Sequence, residues 1–204
     1  MPTRLLYFLV VSLLFATAAT GVYLFLVRRG GEPRKVPTAG SKYTVSEQPL
    51  YTSNENRRKV IVFFPEDGGF ELVSREREIY ATSSMSNQMK QIIVELIKGP
   101  KEGEDGTLQR ALPEATRLRE VYLSGQTAYV DLTRDLLDNI DGGSRLELLT
   151  IYSIVDSITY NFGEIRSVKI IVEGAEIETL SGHVDLRRAL TKDMAYVRPS
   201  GPGA

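Results

Sequence analysis

"RLREVYLSGQTAYVDL" (117–132) reads as two alternating β-rich runs meeting at Ser124-Gly125, where glycine supplies the positive φ that a tight hairpin needs. Val121 and Leu123 should then share one face of the first strand. Ala128, Val130 and Leu132 should share one face of the second. The chain on either side changes period. In "SSMSNQMKQIIVELIKGP" (83–100), Met85, Met89, Ile92, Ile93 and Leu96 recur at helical spacing, with serines as N-cap candidates and Gly99-Pro100 as the stop. In "SRLELLTIYSIVDSITYNF" (144–162), a stripe of Leu148, Ile151, Val155, Ile158 and Phe162 predicts a second helix, with Ser144 as N-cap and Ser153, Asp156 and Tyr160 on the opposite, polar face. Strands are predicted at 59–65, 70–80 and 165–174. Between the first helix and the hairpin, 101–116 is a polar loop with an apolar patch long enough for one helical turn. The order ββ-α-ββ-α-β predicts an α+β fold, with two helices packed on one face of a small mixed sheet.

Outside this core the sequence divides into three further parts. From Leu5 to Val27 there is no charged residue, and arginines bracket the run. Twenty-odd residues at the helical rise span roughly 34 Å, enough for the ~30 Å hydrocarbon core. The small residues Ala16-Thr17-Ala18 would suit signal-peptide cleavage, but the apolar run continues through Val27, so an uncleaved transmembrane helix over 1–29 is expected. Residues 30–58 carry prolines and glycines without a sustained period and read as a flexible linker. The globular domain is expected over 59–190, and 191–204 reads as a disordered tail.

The composition removes several classes of function. Among 204 residues, 25 are basic and 26 acidic, a balance without the basic excess that nucleic acid requires. There is no cysteine and one histidine, His183, which excludes thiol chemistry, zinc–thiolate sites and histidine metal clusters. The acid-rich stretch "DLLDNIDGGS" (135–144) fails as a calcium loop. With Asp141-Gly142 at positions 5 and 6, the first and last ligands would be Leu137 and Leu148. It reads instead as punctuation. Asp131 ends a strand, Thr133 caps a short helix, and Asp141 with its glycines turns the chain into the long helix. His183 reads as a surface or packing residue, and "GEDG" (103–106) lacks the strand and lysine of a phosphate loop.

The ordered set "VIVFFPEDGGFELVSREREI", "LIKGP", "LQRALPEATRL", "TAYVDLTRDL", "VKIIVEG" and "GHVDL" resembles the GerMN domain, the sporulation and spore-germination domain, over about 130 residues of the globular part. The resemblance implies a fold related to the ring-building motifs of bacterial envelope assemblies, held on the extracytoplasmic side. Unlike common family members, this sequence has no cysteine to lipidate.

These readings combine into a single expectation. The protein is a non-enzymatic, single-pass protein of the bacterial cytoplasmic membrane whose outer domain associates with other envelope proteins or with itself. No catalytic, metal or cofactor-binding residue is expected, no cofactor, and no nucleic-acid partner; the residues that bind the partner are not assigned. A rival of another class is a module for cell-wall glycan, peptidoglycan included, or a small envelope ligand, using Tyr122, Tyr129 or Tyr160 as stacking surfaces. An enzyme using Asp131 and Glu114 is the remaining alternative. The arginines and lysine at 28, 29, 34 and 35 pull against an outward domain; the family resemblance favours it.

Overall fold

The structure, a computed structural model, describes residues 56–199 except 105, 141 and 142. The expected transmembrane helix, nearly all of the expected linker and the turn assigned to Asp141 lie outside the described residues. Among those described, no helix is long and apolar enough to cross a membrane.

The hairpin forms as β3 (Leu118–Ser124) and β4 (Thr127–Leu132), with Ser124 opposite Thr127. Its two-residue turn is therefore Gly125-Gln126, one position later than expected, and Gly125 has φ 59°. β4 runs parallel to β5 (Ser167–Val172), which also pairs with the short strands β6 (Ala175–Glu176) and β7 (Leu190–Thr191). Ala128, Val130 and Leu132 are buried as predicted, together with Val121, Val168 and Ile170. This face carries both long helices, α1 (Met85–Lys98) and α3 (Gly143–Asn161). The short helix α2 (Asp135–Asp138) precedes α3.

The expected fold class holds as α+β, but its single sheet is corrected to two. β1 (Arg57–Pro65) and β2 (Leu72–Tyr80) form a separate antiparallel ribbon that does not join the main sheet. α1 and α3 lie between ribbon and sheet, in contact with both. A two-stranded ribbon exposes unpaired backbone along both edges, and here helix carboxamides cover them. On β1, Ile61 N–H donates to Asn161 Oδ1 (3.0 Å), Asn161 Nδ2 donates back to Ile61 O (2.6 Å), and Phe63 N–H donates to Ser157 Oγ (3.0 Å). On β2, Gln91 makes the same double contact with Tyr80 N and O, at 2.8 and 3.0 Å. Each amide replaces one rung of a missing strand.

The ribbon also corrects the expected polar face of α3. Ser153 and Asp156 are fully buried, and only Tyr160 of the three stays half exposed. The stripe Ile151, Val155, Ile158 and Phe162 is buried as expected, while the opposite side is covered by β1 and by the C-terminal segment. α3 begins at Gly143, so Ser144 sits inside its first turn rather than at the cap. α1 matches expectation more closely. Ser84 Oγ accepts from Asn87 N–H, and Gly99 ends the helix with φ 81°. That glycine has a second reason. Arg110 reaches over it to donate to Ile97 O and Lys98 O, and a Cβ on Gly99 would meet Arg110 Cγ at 3.0 Å. The loop 101–116 forms turns instead of the expected helical turn among its described residues, burying Ala111 and Leu112.

The expected disordered tail is corrected over 191–199. Thr191 lies in β7, Met194–Tyr196 is a 3₁₀ turn, and Val197 bridges to Leu72. Arg198 N–H donates to Leu72 O at 2.8 Å, and its guanidinium pairs with Glu66 and Glu71. Tyr196 packs on Tyr152, their ring centroids 4.8 Å apart. The apolar cluster Phe63, Leu72 and Leu149 gives this segment something to cover.

Replacing Asn161 with Ala should cost about 1–3 kcal/mol, because it strands both backbone groups of Ile61. Val155→Asp should cost considerably more, placing a charge in the main core. Urea unfolding of both variants beside the wild type checks the order.

Candidate functional site

Of the acids singled out in the sequence, Asp131 is engaged in holding a chain segment. Asp131, nearly buried at the end of β4, accepts Gly174 N–H at 3.0 Å and pairs with Arg119 at 3.2 Å. The segment it grips is the β5–β6 turn, where Glu173 and Gly174 both have positive φ (52° and 75°). Burial pushes the Asp131 carboxyl up, against the pull of Gly174 N–H and Arg119. Thr133 does not cap the short helix as expected. Its hydroxyl accepts Arg117 N–H and donates to Asp135, while its carbonyl takes Leu136 N–H. Asp138 pairs with Arg134 at 3.5 Å. Glu114, the other acid of the enzyme alternative, is exposed and pairs with Arg110; no interaction joins it to Asp131. Among the described residues, no group of three or more histidines and acids is placed to hold a metal.

The strongest polar constellation was missed in the sequence. Glu147, on α3, is fully buried. Its Oε1 accepts Leu180 N–H and Ser181 N–H at 2.9 and 3.0 Å. Its Oε2 accepts Ser181 Oγ at 2.9 Å and His183 N–H at 2.8 Å, with His183 Nδ1 2.9 Å away. Burial alone would raise this carboxyl; the donors from Ser181 and His183 outweigh it and bring the pKa down to about 2. His183 is thus neither a ligand nor a free surface residue. It is one donor in a loop wrapped around an anion, which explains why the "SGH" stretch has its form. Glycine and serine supply turn and donors where Glu147 has no other partner. A single glutamate at a helical position offers no sequence signal of this.

Arg77 is also buried, on β2. It forms a bidentate pair with Glu104 (2.6 and 2.8 Å), stacks 5.2 Å over Phe64, and lies 3.7 Å from Glu95. The Arg77 hydrogen bond holds the Glu104 carboxyl below its usual range. Glu104, in "GEDG", thus ties its loop to the buried Arg77. The neighbouring open groove along Arg57, Glu76, Glu78, Lys98 and Lys101 is lined by charges that pair among themselves: Arg57 with Glu78, Lys98 with Glu95.

What remains is apolar surface. Tyr122 and Leu123 on β3 are 44% and 39% exposed, at the edge of the main sheet. Tyr122 stands opposite Tyr129 on β4, and the rings stack 5.1 Å apart, within 6° of parallel. Leu123 shares the face of Val121, as expected, but stands beyond the rim of the core and is exposed. On the outer edge of β3, Val121 O accepts from Ser86 Oγ and Val121 N–H donates to Glu120 at 2.9 Å. Tyr160 does not join the patch. It packs edge-on against Phe63.

Glu147→Gln should lower stability by about 3 kcal/mol at neutral pH, the equivalent of the pKa depression. The sign follows from that depression. Glu147 stabilises the fold fully above its ordinary pKa, and this is lost as pH falls towards about 2. Thermal melts between pH 7 and pH 2.5 should show an acid loss in the wild type that is smaller in the variant.

A family model described as Germane, sporulation and spore germination, matches residues 61–178. No curated protein matches. The tandem GerMN domains of the sporulation protein GerM from Bacillus subtilis superpose with a TM-score of 0.54 at 16% identity, over 67% of this chain and 46% of that one. The first GerMN domain alone gives 0.53 at 19% identity, over 66% and 97%. A candidate lipoprotein of Clostridium perfringens gives 0.50 at 20% identity, over 71% and 95%. At these identities the structures speak for the fold, and the family model speaks for the sequence. The match spans both hairpins, both long helices and the Glu173-Gly174 turn gripped by Asp131, and the chain belongs to the sporulation and spore germination (GerMN) family.

Proposed function

We propose that this protein is a membrane-anchored, extracytoplasmic module that works by binding another protein of the bacterial envelope, without catalysis of its own. The observation that carries the reading is the edge strand β3, which exposes Tyr122, stacked on Tyr129, on one face of the main sheet and Leu123 on the other. Large apolar side chains exposed at the rim of an edge strand are costly unless something covers them. Aromatic residues on such a surface are the residue types enriched at binding hot spots. Support also comes from the polar groups: Asp131 and Glu147 each hold a loop, and His183 lies in the loop that Glu147 holds, so all three are bonded within the fold. The uncharged Leu5–Val27 run supplies the tether, and tethering raises the effective concentration of a domain towards partners in the same membrane.

The absence of native cysteine makes the test clean. Leu123→Cys should crosslink to a partner in intact membranes, and Glu102→Cys, exposed on a distant loop, should not. Equal crosslinking from both positions would sink the assignment of the patch. The stacked tyrosines also favour a second reading, a glycan platform, since aromatic faces suit sugar rings. Retention of the chain on isolated peptidoglycan, lost in Tyr122→Ala, would select that reading instead.

The topology has its own check. A phosphatase fused after Ala204 should be active, and protease added to spheroplasts should digest the globular domain. An inactive fusion with a protected domain would put the domain in the cytoplasm.

A further inference from the structure

The C-terminal segment 191–198 is held on α3 by one group that is badly served where it sits. Asp156 is fully buried. Its Oδ1 accepts Asp193 N–H at 3.0 Å, and its Oδ2 has no partner. One turn earlier on the same helix, Ser153 is buried as well, and its Oγ also has no partner. A buried carboxylate with one empty oxygen is costly. A protonated carboxyl is not, because its O–H can donate, and residues three apart on a helix are neighbours. Ser153 O–H could serve either form, so what separates the two is the charge: a fully buried carboxylate that holds one N–H bond is penalised in the docked state, and the neutral acid is not. When the segment leaves, water reaches both.

The geometry points to a pH-sensitive latch: 191–198 docks on α3 while Asp156 carries its proton and loosens as Asp156 ionises, uncovering the Phe63–Leu72–Leu149 cluster and the backbone of Leu72. The groups around Asp156 agree with this. From the segment itself, Asp193 opposes ionisation and Lys192 favours it. On α3, Tyr152 is pushed up by burial and by Tyr196, Asp193 and Asp156, so it stays neutral and offers no compensating charge. β1 presents apolar Ile61 and Phe63 to this side of α3. Burial is the leading cause of the Asp156 shift, to about 7 from 3.8. The sign follows. An acid with a raised pKa stabilises the docked state at low pH and progressively less as pH rises to about 7, beyond which nothing further is lost. What titrates is docking, since Asp156 regains an ordinary environment once the segment lifts. The rest of the fold is tied down elsewhere, by Glu147, Asn161 and Gln91.

Hydrogen exchange on the full chain between pH 5 and 8.5, corrected for intrinsic rates, tests the latch. Protection at the amides of Asp193, Val197 and Arg198 should fall about tenfold per pH unit up to about pH 7 and then level off. The amides of Phe162 and Glu173, bonded to Ile158 O and Leu132 O, serve as internal controls and should not change. Asp156→Asn, uncharged at every pH, should keep the segment protected throughout. Tyr196→Ala should loosen it at every pH while the controls hold. Protection of 193–198 that ignores pH in the wild type overturns the latch, as does a pH dependence that survives in Asp156→Asn. Loss at the controls in step with the segment overturns it too, since that would be unfolding of the whole domain.

Discussion

A helix packed on opposite faces has to account for each polar side chain it buries, and α3 buries many. The surrounding segments supply the partners. Glu147 takes the amides of Leu180, Ser181 and His183, Asp156 takes Asp193 N–H, Ser157 takes Phe63 N–H, and Asn161 takes both backbone groups of Ile61. Three segments distant in sequence thus find places for their backbone on one helix. The apolar stripe of α3 packs the main sheet, while its polar residues decide where the ribbon and the C-terminal loops must lie. Hydrogen bonds of this kind add modestly to stability but are expensive to leave unmade, so they specify position more than they add strength.

The same economy governs the charges. Arg77 and Glu147 are deeply buried ions that each have several partners, although Arg77 Nε itself has no hydrogen bond. Each is held by a geometry that replaces the lost water: a bidentate carboxylate for one, and two backbone amides, a hydroxyl and the His183 backbone and ring for the other. Exposed pairs such as Lys59–Glu76 and Arg187–Asp185 belong to another class, and the fold does not depend on them. Asp156 is the exception in the first group, buried like the others but half served.

Periodicity was a good guide wherever one face of an element meets the core. It placed α1 with its serine cap and glycine stop, the β3–β4 hairpin, and the inward set Ala128, Val130 and Leu132. It failed where an element is buried on two faces. Ser153 and Asp156 lie opposite the apolar stripe and so read as solvent-facing, yet the ribbon and the segment 191–198 cover them. β1 gives the same lesson, with Val60, Val62 and Phe64 in the main core and Phe63 in the smaller cluster. The family motifs were visible as strings before their reasons were. "KGP" is a left-handed glycine beneath Arg110, "VDL" holds the Glu173-Gly174 turn, and "GH" wraps Glu147. None of these partners is near in sequence, so no local pattern could have named them. The patch at Tyr122 and Leu123 was hidden for the opposite reason: Leu123 has the right parity for the core but stands beyond its rim.

The Glu147 loop also bears on the order in which this domain can form. Glu147 is synthesised well before the residues that solvate it, and until 180–183 arrive its charge cannot enter the interior of α3's packing. β1, made first, waits in the same way for Ser157 and Asn161, about a hundred residues later in the chain. Long-range contacts of this kind are slow to close, and they reward the chain only once the loops between them are in place. Local structure can appear early at α1 and at the β3–β4 turn. The ribbon, the buried helix and the loop around Glu147 must settle together, as one late and cooperative step, after residue 183 has emerged.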